Sequence, residues 1–275
     1  MTRALRKIPL YAVLVVLTVL WLLPVVSSFL VSMKSSQDFV SQTWADLPTR
    51  FYFFVNLATV LREYRLLDNL GSSLLYSVAG TIIVVITASM AGFSIVRLRP
   101  KFNFLLFLVI YSGTLFPFQM YLIPVYRLYN NLGLYDTRTG LVLIYAAICI
   151  PFSLFVYRGF YTTIPREIEE AAKLDGCGPV RSFVEVFLPQ SVPPTAVVAL
   201  FQATWIWNDL LFGMVLSRTE NVRPIMVAVA TMTGYGGGNI PWIMTAVIFT
   251  SIPTILLFVF LRRFFIKGME MSISA

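Results

Sequence analysis

The chain has 275 residues, of which 58% are hydrophobic and 12% are charged, and its formal net charge is +8. A soluble domain is typically about half apolar and about a quarter charged, so this composition leaves more apolar surface than one globular core can bury. With a mean hydropathy of +0.80, the chain is predicted to reside largely in a lipid bilayer. Its positive charge indicates basic cytoplasmic loops and not nucleic-acid binding, because no basic stripe with interleaved aromatic residues lies outside the apolar runs.

Histidine is absent from the chain, and there are two cysteines. The lack of histidine removes the commonest metal ligand and the commonest general base, which argues against an enzyme. Cys149 lies in an apolar run and Cys177 in a polar loop, so the two are a poor candidate pair for a disulfide.

Six apolar runs predict an all-α, polytopic membrane protein with six transmembrane helices, since about 20 residues of helix cross the hydrocarbon core. We expect one transmembrane domain over residues 1–275, with a short fourth span that needs its flanking residues. A further stretch, Ile225–Thr231, is too short to cross and is predicted to be interfacial or re-entrant. The predicted spans are Ile8–Val31, Leu74–Val96, Phe102–Val125, Leu141–Tyr157, Thr195–Val215 and Trp242–Leu261.

The second run carries small residues at spacings that are multiples of four. Such a stripe lets helix backbones approach closely in lipid, so ordinary bundle packing is the main interpretation. A stripe that lines a pore is the alternative. The residues are Ser73, Ser77, Thr81, Ala88 and Gly92.

Lys and Arg residues predict that both termini are cytoplasmic. With the N-terminus inside, the inner segments hold 13 of the 21 Lys and Arg residues, although these segments are the shorter ones in total. The inner residues include Arg3, Arg6 and Lys7 at the N-terminus, and the short loop Arg97–Lys101 is the clearest single signal. This topology makes residues 158–191 a cytoplasmic loop between the fourth and fifth spans.

Local signals divide this loop into two helices. Pro165 suits a first helical turn, the acidic residues after it complement the positive helix end, and Gly176 is suited to a left-handed terminating position. Pro179 begins a second helix whose apolar residues share one face, and Pro189 is expected to end it. On these signals alone, the first helix is either a surface for a partner protein or a solvated helix.

Polar and aromatic residues cluster in the fifth span: Gln202, Trp205, Trp207, Asn208 and Asp209. A carboxylate inside a span usually faces the bundle interior or a wet cavity. Rings can contact the apolar faces of a sugar and amides can bind its hydroxyls, so Gln202, Trp205, Asn208 and Asp209 are candidates for a translocation path. The alternative is a polar contact between helices, with tryptophans at the membrane interface.

The spacing within the loop resembles the EAA loop of ATP-binding-cassette importer permeases. Three residues separate Glu170-Ala171-Ala172 from Gly176, nine separate Gly176 from Val186, and one separates Val186 from Leu188-Pro189. The family usually has Ile at the position of Val186, while Asp175 before the glycine is present. The six runs and the WIWNDLLF stretch of the fifth span are similar to the carbohydrate-uptake branch, which includes the smaller permease of the maltose transporter.

The resemblance implies a coupling helix that docks on an ATP-binding subunit through Glu170, Ala171, Ala172, Asp175 and Gly176, with Leu188 and Pro189 shaping the return to the fifth span. It implies two copies of that subunit, a second, paralogous permease and an extracytoplasmic solute-binding protein, in a prokaryotic cytoplasmic membrane. No cofactor is expected in this chain. ATP and Mg²⁺ are expected in the partner, since no GxxxxGK[ST] run is present.

Two other functional classes remain as alternatives. A secondary transporter or channel acting without an ATPase would be expected to have ionisable residues within its spans. Asp209 is the only one well inside a predicted span, and no inverted repeat is evident. A membrane enzyme is disfavoured because no metal cluster or nucleophile constellation is evident.

Overall fold

The computed structural model of the chain describes residues 8–234 and 238–273, with side chains over residues 9–234 and 238–262. The described residues form helices and no strands, so the predicted all-α membrane class is confirmed. Arg3, Arg6 and Lys7 lie outside the described residues. The helices, including two π-helical turns, are α1 (Ile8–Ser32), α2 (Ser36–Ser41), α3 (Phe53–Glu63), α4 (Leu66–Phe93), π1 (Ser94–Leu98), α5 (Asn103–Ser112), α6 (Gln119–Leu132), α7 (Arg138–Thr163), α8 (Arg166–Leu174), α9 (Pro179–Ser182), π2 (Phe183–Phe187), α10 (Leu188–Gln190), α11 (Val192–Asn208), α12 (Leu211–Leu216), α13 (Ile225–Thr231) and α14 (Ile240–Ile273).

Four helices of the described part are long and apolar enough to cross a bilayer: Pro9–Ser32, Leu66–Leu98, Arg138–Thr163 and Ile240–Arg262. They coincide with the first, second, fourth and sixth predicted runs. The helix Arg138–Thr163, which contains the short fourth predicted run, is 26 residues long, so residues on both sides of that run complete the span. A fifth span results if the helices on either side of Ser191, which are bent by 74°, are counted together. The total of six spans stays a prediction.

The third predicted run, Phe102–Val125, is not one helix. It is divided into α5 and α6 by residues 113–118. Gly113 and Pro117 lie in this break. Glycine is a weak helix former, and proline has no backbone N–H to donate to the helical hydrogen bonds. The ten residues of α5 rise about 15 Å, which is half of the hydrocarbon thickness.

The predicted fifth run, Thr195–Val215, is also interrupted. Helix α11 begins at Val192 and ends at Asn208, and the chain resumes as α12 at Leu211. Asp209 has an extended backbone, with φ −65° and ψ 131°. The carboxylate expected within a continuous span therefore lies at a break between two helices.

The chain forms two compact units. The first takes in the described residues up to Leu67 and the segment Ala228–Ile252. In it, α1 is apolar on all sides and exposed, as expected of a helix surrounded by lipid. The fully buried Lys34 donates from Nζ to the carbonyl of Thr43 at 2.5 Å. Asn56 donates to the carbonyls of Ser32 and Lys34, each at 3.0 Å, which holds the turn after α1.

The second unit comprises Asp68–Val227 together with the segment from Pro253 onward. Its core contains the small-residue stripe of α4, whose residues Ser73, Ser77, Thr81 and Ala88 are all buried. At the fifth stripe residue, Gly92, an added Cβ would come within 3.0 Å of Tyr157 Cβ and 3.2 Å of the Arg158 amide nitrogen. The stripe therefore allows α4 and α7 to pack closely, as the main interpretation predicted.

The segment between α12 and α13 is held by side chains of α4. Tyr76 donates to the carbonyl of Val222 at 2.6 Å, Ser72 to that of Asn221 at 3.0 Å and Asn69 to that of Arg223 at 3.0 Å. These bonds satisfy backbone carbonyls in a segment that forms no regular secondary structure. They connect residues about 150 positions apart, so only the folded chain brings them together.

Candidate functional site

Helix α8 is the first candidate site, and its ends follow the sequence rules. Pro165 precedes it, Glu167 and Glu169 lie in its first turn, and Lys173 lies in its last turn. Lys173 Nζ contacts Glu169 Oε1 at 2.6 Å, an i,i+4 pair that supports the helix. The acidic first turn complements the helix dipole as predicted, and Lys173 complements it at the other end.

Gly176 ends α8 in the left-handed conformation, with φ +78°. The amide of Cys177 donates to the carbonyl of Ala172 at 2.9 Å, and the amide of Gly176 donates to that of Lys173 at 3.0 Å. These two bonds form a Schellman motif, which needs a residue that tolerates positive φ. The predicted glycine terminus is confirmed.

The candidate docking residues divide by exposure. Glu170, Ala171, Asp175 and Gly176 are exposed, whereas Ala172 is only 6% exposed. The two alanines, expected side by side on one surface, thus lie on different sides of α8. Leu174 was not among the predicted docking residues, yet it is 89% exposed at the end of the helix. Because it lies next to the exposed Asp175 and two residues before Gly176, both candidate docking residues, Leu174 is a candidate contact for the same partner.

The second loop helix runs from Pro179 to Gln190 through the π-helical turn π2. It continues one residue past Pro189, which was expected to end it. Its ring residues anchor it to α4, because Phe93 lies 5.3 Å from Phe183 and 5.0 Å from Phe187 between ring centroids. The other members of its predicted apolar face, Val180, Val184 and Leu188, remain exposed.

The bend between α10 and α11 is attached to α7. The hydroxyl of Ser191 lies 2.9 Å from that of Tyr161, and Thr195 Oγ1 lies 2.8 Å from the hydroxyl of Tyr157. Leu188 and Pro189, the candidates for shaping the return to the fifth span, immediately precede this bend and are exposed. The direction of α11 is therefore set by contacts from α7 as well as by the prolines.

Glu169 was not among the candidate docking residues, yet it connects α8 to the rest of the unit. Its Oε2 lies 3.5 Å from Nη1 of Arg97 in π1. Burial raises the pKa of Glu169, but the hydrogen bond and charge of Lys173 and the charge of Arg97 outweigh this effect and hold the pKa below its ordinary value. The carboxylate is therefore ionised at neutral pH and pairs with both cations.

Asp209, the first candidate for the solute path, is 8% exposed. One carboxylate oxygen accepts from the hydroxyl of Tyr145 at 2.9 Å and from the amide of Gly213 at 3.0 Å. These contacts join α7, the helix break and α12. Asp209 therefore makes the contact between helices that was the alternative to a path role.

Gln202 makes a second contact of this kind. It is 5% exposed, and its Nε2 donates to Ser153 Oγ of α7 at 3.1 Å. Trp205 is half-buried and packs edge-on against Phe118, with centroids 5.4 Å apart. Asn208 is exposed and donates only to the carbonyl of Thr204, one turn earlier, among the bonds of the described residues. Trp205 and Asn208 are thus the candidates with surface left for a ligand.

A cavity of about 960 Å³ lies at the break between α11 and α12. A second cavity, of about 250 Å³, lies at the break between α5 and α6. Phe118, Phe201 and Trp205 line both. Asn208 and Asp209 add polar groups to the larger cavity, which is otherwise mainly aromatic and aliphatic. Such a surface suits a ligand with both apolar faces and hydroxyl groups.

No group of three or more Cys, Asp or Glu side chains within the described ranges is arranged to hold a metal ion.

Comparisons with known proteins agree on a transport system. The profile of the family described as binding-protein-dependent transport system inner membrane component matches residues 80–270. A permease for uptake of osmoprotective compounds from Synechocystis sp. is 30% identical over 96% of this chain and 90% of its own length. A melibiose/raffinose/stachyose import permease from Bacillus subtilis is 26% identical over 98% and 96%, respectively.

The fold also matches a solved structure. A chain from a bacterial ABC transporter involved in the import of the acidic polysaccharide alginate superposes with a TM-score of 0.82, over 96% of this chain and 98% of that one. The sequence identity is 22%, so this likeness concerns the fold.

Proposed function

The chain belongs to the family of binding-protein-dependent transport system inner membrane components, and we propose that it is the permease subunit of an ATP-driven importer of a mono- or oligosaccharide. In this proposal it forms half of the translocation path, as one transmembrane domain with six spans. A second, paralogous permease forms the other half. Two copies of an ATP-binding subunit bind ATP and Mg²⁺, because this chain has no phosphate-binding loop. An extracytoplasmic binding protein delivers the solute.

The observation that carries the proposal is the form of α8. A short charged helix has its outer side free, with Glu170, Ala171, Leu174 and Asp175 exposed and a rigid glycine turn at its end. Its inner side is fastened to the bundle through Glu169. A helix that is exposed on one side and fixed on the other suits a docking element that passes force from one subunit to another. Ala172 supports this surface from beneath.

The solute path is proposed at the two helix breaks. Backbone that is not helical is tolerated at membrane depth where it borders a cavity or is buried in protein. The breaks at residues 113–118 and 209–210 border the cavities that share Phe118 and Trp205. In this proposal Trp205 stacks on the solute, Asn208 binds its hydroxyls, and Gln202 and Asp209 hold the walls in place.

A sugar is favoured as the solute because the lining combines aromatic rings with the amide of Asn208 and the hydrogen-bonded carboxylate of Asp209. The melibiose/raffinose/stachyose permease is a relative over nearly the whole chain, which supports the same class. Membership of a binding-protein-dependent family does not favour a transporter or channel that works without partners.

The coupling role is tested by substitution at Gly176 in the reconstituted complex with its ATP-binding subunits and binding protein. Gly176→Val strains a backbone that requires positive φ and should reduce solute-stimulated ATP hydrolysis at least about tenfold. The matched control is Gly178→Val, because Gly178 has an extended backbone and open space around it. Equal stimulation in both variants would sink the coupling assignment.

A further inference from the structure

Arg97 is a buried cation on the π-helical turn π1, immediately after α4. It is 7% exposed. Its Nη2 donates to the carbonyl of Tyr161 at 2.6 Å and to that of Ile164 at 2.5 Å. Its Nη1 lies 3.5 Å from Glu169 Oε2. We call these four residues, together with Phe187, whose ring centroid lies 5.0 Å from the guanidinium carbon, the Arg97 network.

The Arg97 network connects π1 to residues of three other elements, all of them more than 60 positions later in the chain. Tyr161 lies in the last turn of α7, where the carbonyls have no partner within the helix, and Ile164 follows the helix with an extended backbone. The carbonyl of Tyr161 belongs to the negative end of the helix dipole, so a guanidinium supplied by another helix is a favourable donor to it. Glu169 belongs to α8, and Phe187 belongs to π2. One side chain on π1, which continues α4 as one span, thus contacts both helices of the loop and the helix that leads into it.

A charge buried this deeply is unfavourable unless it is well paired, so static packing alone gives little reason for an arginine here. Its Nε is buried without a hydrogen-bond acceptor among the described residues. An aliphatic side chain would avoid that loss, but it would not bond to a helix end and a carboxylate at the same time. The planar fork of arginine allows several directional bonds, which lysine cannot reproduce.

The contact between Arg97 and Glu169 is also the only ion pair that connects α8 to another element among the side chains that the structure describes. The other acidic residues of α8, Glu167 and Glu170, are exposed. Any displacement of α8 by a bound partner must therefore either carry Arg97 with it or break this pair.

We propose that Arg97 is a positioning residue that makes the loop and α4 move as one body, so that displacement of α8 becomes displacement of a membrane-spanning helix. This inference rests on the proposed function, because it takes α8 to be the element moved by the ATP-binding subunits. Arg97 itself contacts neither ATP nor solute. Its role is to keep the distance between α8 and α4 constant while both move.

The test uses spin labels in the reconstituted complex. In a Cys149→Ala background, one label is attached to Cys177 in the loop and one to Met90→Cys, an exposed position on α4. With Arg97 in place, the distance between the labels should be the same with and without ATP. In Arg97→Gln the distance should change or broaden on ATP addition, and the sugar moved per ATP hydrolysed should fall at least about tenfold.

Arg99→Gln is the matched control, because Arg99 lies two residues away and is exposed, and the one side-chain bond that it makes within the described part of the chain is a 3.4 Å contact to the carbonyl of Val96. If Arg97→Gln does not assemble, Arg97→Lys replaces it. Lysine keeps the charge but lacks the planar guanidinium with its several donors. We expect the same broadening of the label distance on ATP addition, with a smaller loss of sugar transport per ATP. Label distances and transport per ATP that match those of Arg99→Gln would overturn the inference. A wild-type complex without binding-protein-stimulated hydrolysis would instead contradict the proposed function.

Discussion

The hydroxyl of Tyr145 donates a 2.9 Å hydrogen bond to a carboxylate oxygen of Asp209, and this bond connects α7 to the break between α11 and α12. Both residues are buried, Tyr145 completely. The same oxygen accepts the amide of Gly213, so one carboxylate satisfies groups from two helices. At this helix break the carboxylate of Asp209 is thus hydrogen-bonded to both α7 and α12.

Removing the hydroxyl of Tyr145 should destabilise this break. Tyr145→Phe deprives a buried carboxylate of one of its donors, which costs about 1–3 kcal/mol. We expect a lower melting temperature for the purified protein in detergent. The control is Tyr126→Phe, because Tyr126 is 40% exposed and no hydrogen bond involves its hydroxyl within the described ranges. Identical melting temperatures for the two variants would contradict this account of Asp209.

Asn208 should affect uptake without affecting stability. Its side chain is exposed in the larger cavity, and its one bond to the residues that the structure describes goes to the carbonyl one turn earlier. Asn208→Ala should therefore leave the melting temperature unchanged and raise the KM for solute uptake about tenfold, the effect of losing about one good hydrogen bond. Asn130→Ala is a matched control, since Asn130 is exposed and makes the same bond to Tyr126 outside both cavities. An unchanged KM in Asn208→Ala would remove Asn208 from the proposed path.

The orientation of the loop can be measured with its own cysteine. Cys177 is partly exposed, whereas Cys149 is buried. A membrane-impermeant maleimide should therefore label the protein in inside-out vesicles and fail to label it in right-side-out vesicles, if α8 faces the cytoplasm. Cys177→Ser should abolish the labelling. Labelling confined to right-side-out vesicles would reverse the proposed topology.

Asp136 should stabilise the segment after α12 in a pH-dependent manner. It accepts from the amides of Arg218 at 2.8 Å and Thr219 at 3.0 Å. Partial burial raises the pKa of Asp136, but these bonds and the charge of Arg218 outweigh it, so the pKa lies below its ordinary value of 3.8. A lowered pKa means that the contribution is complete above pH 3.8 and is lost as the pH falls through the lower value in the folded protein.

The stability difference between the wild type and Asp136→Asn should accordingly be constant from pH 5 to pH 8 and shrink below pH 3.8. We expect a difference of about 1 kcal/mol at neutral pH, because the site is only partly buried and solvent screens it. Asparagine tolerates the left-handed backbone of Asp136, with φ +54°, so the variant isolates the charge. A difference that grows on acidification would contradict the assigned sign.

Much of the candidate loop could be predicted because its signals are local. Pro165, the acidic first turn, Lys173 and Gly176 act within a few residues of one another, and α8 has the expected ends. Local rules were less reliable for the second loop helix, where Val180 and Val184 are exposed despite sharing the helical spacing of Phe183 and Phe187. Spacing identifies a face, but the position of Phe93 on α4 selects which part of that face is covered.

The breaks in the third and fifth runs were not predicted. Hydropathy averages over about 20 residues and cannot distinguish a continuous helix from two shorter ones of the same composition. Gly113 and Pro117 were visible signals for the first break. The break at Asp209 contains no glycine or proline that would signal it. The carboxylate of Asp209 is stabilised there by a hydrogen bond from Tyr145, 64 positions away in the sequence.

Composition, helical periodicity and the loop spacing by themselves determined the membrane class, the small-residue stripe of α4 and the helix with its glycine turn. These depend on the hydrophobic effect and on hydrogen bonds between near neighbours, both of which the order of residues specifies directly. Only the tertiary structure decided that Ala172 is covered while Leu174 is exposed, that Asp209 and Gln202 bond to α7, and that Arg97 contacts the ends of the loop. Those outcomes depend on which groups meet across long stretches of chain, because a buried polar group must find its partner wherever the fold brings one within reach.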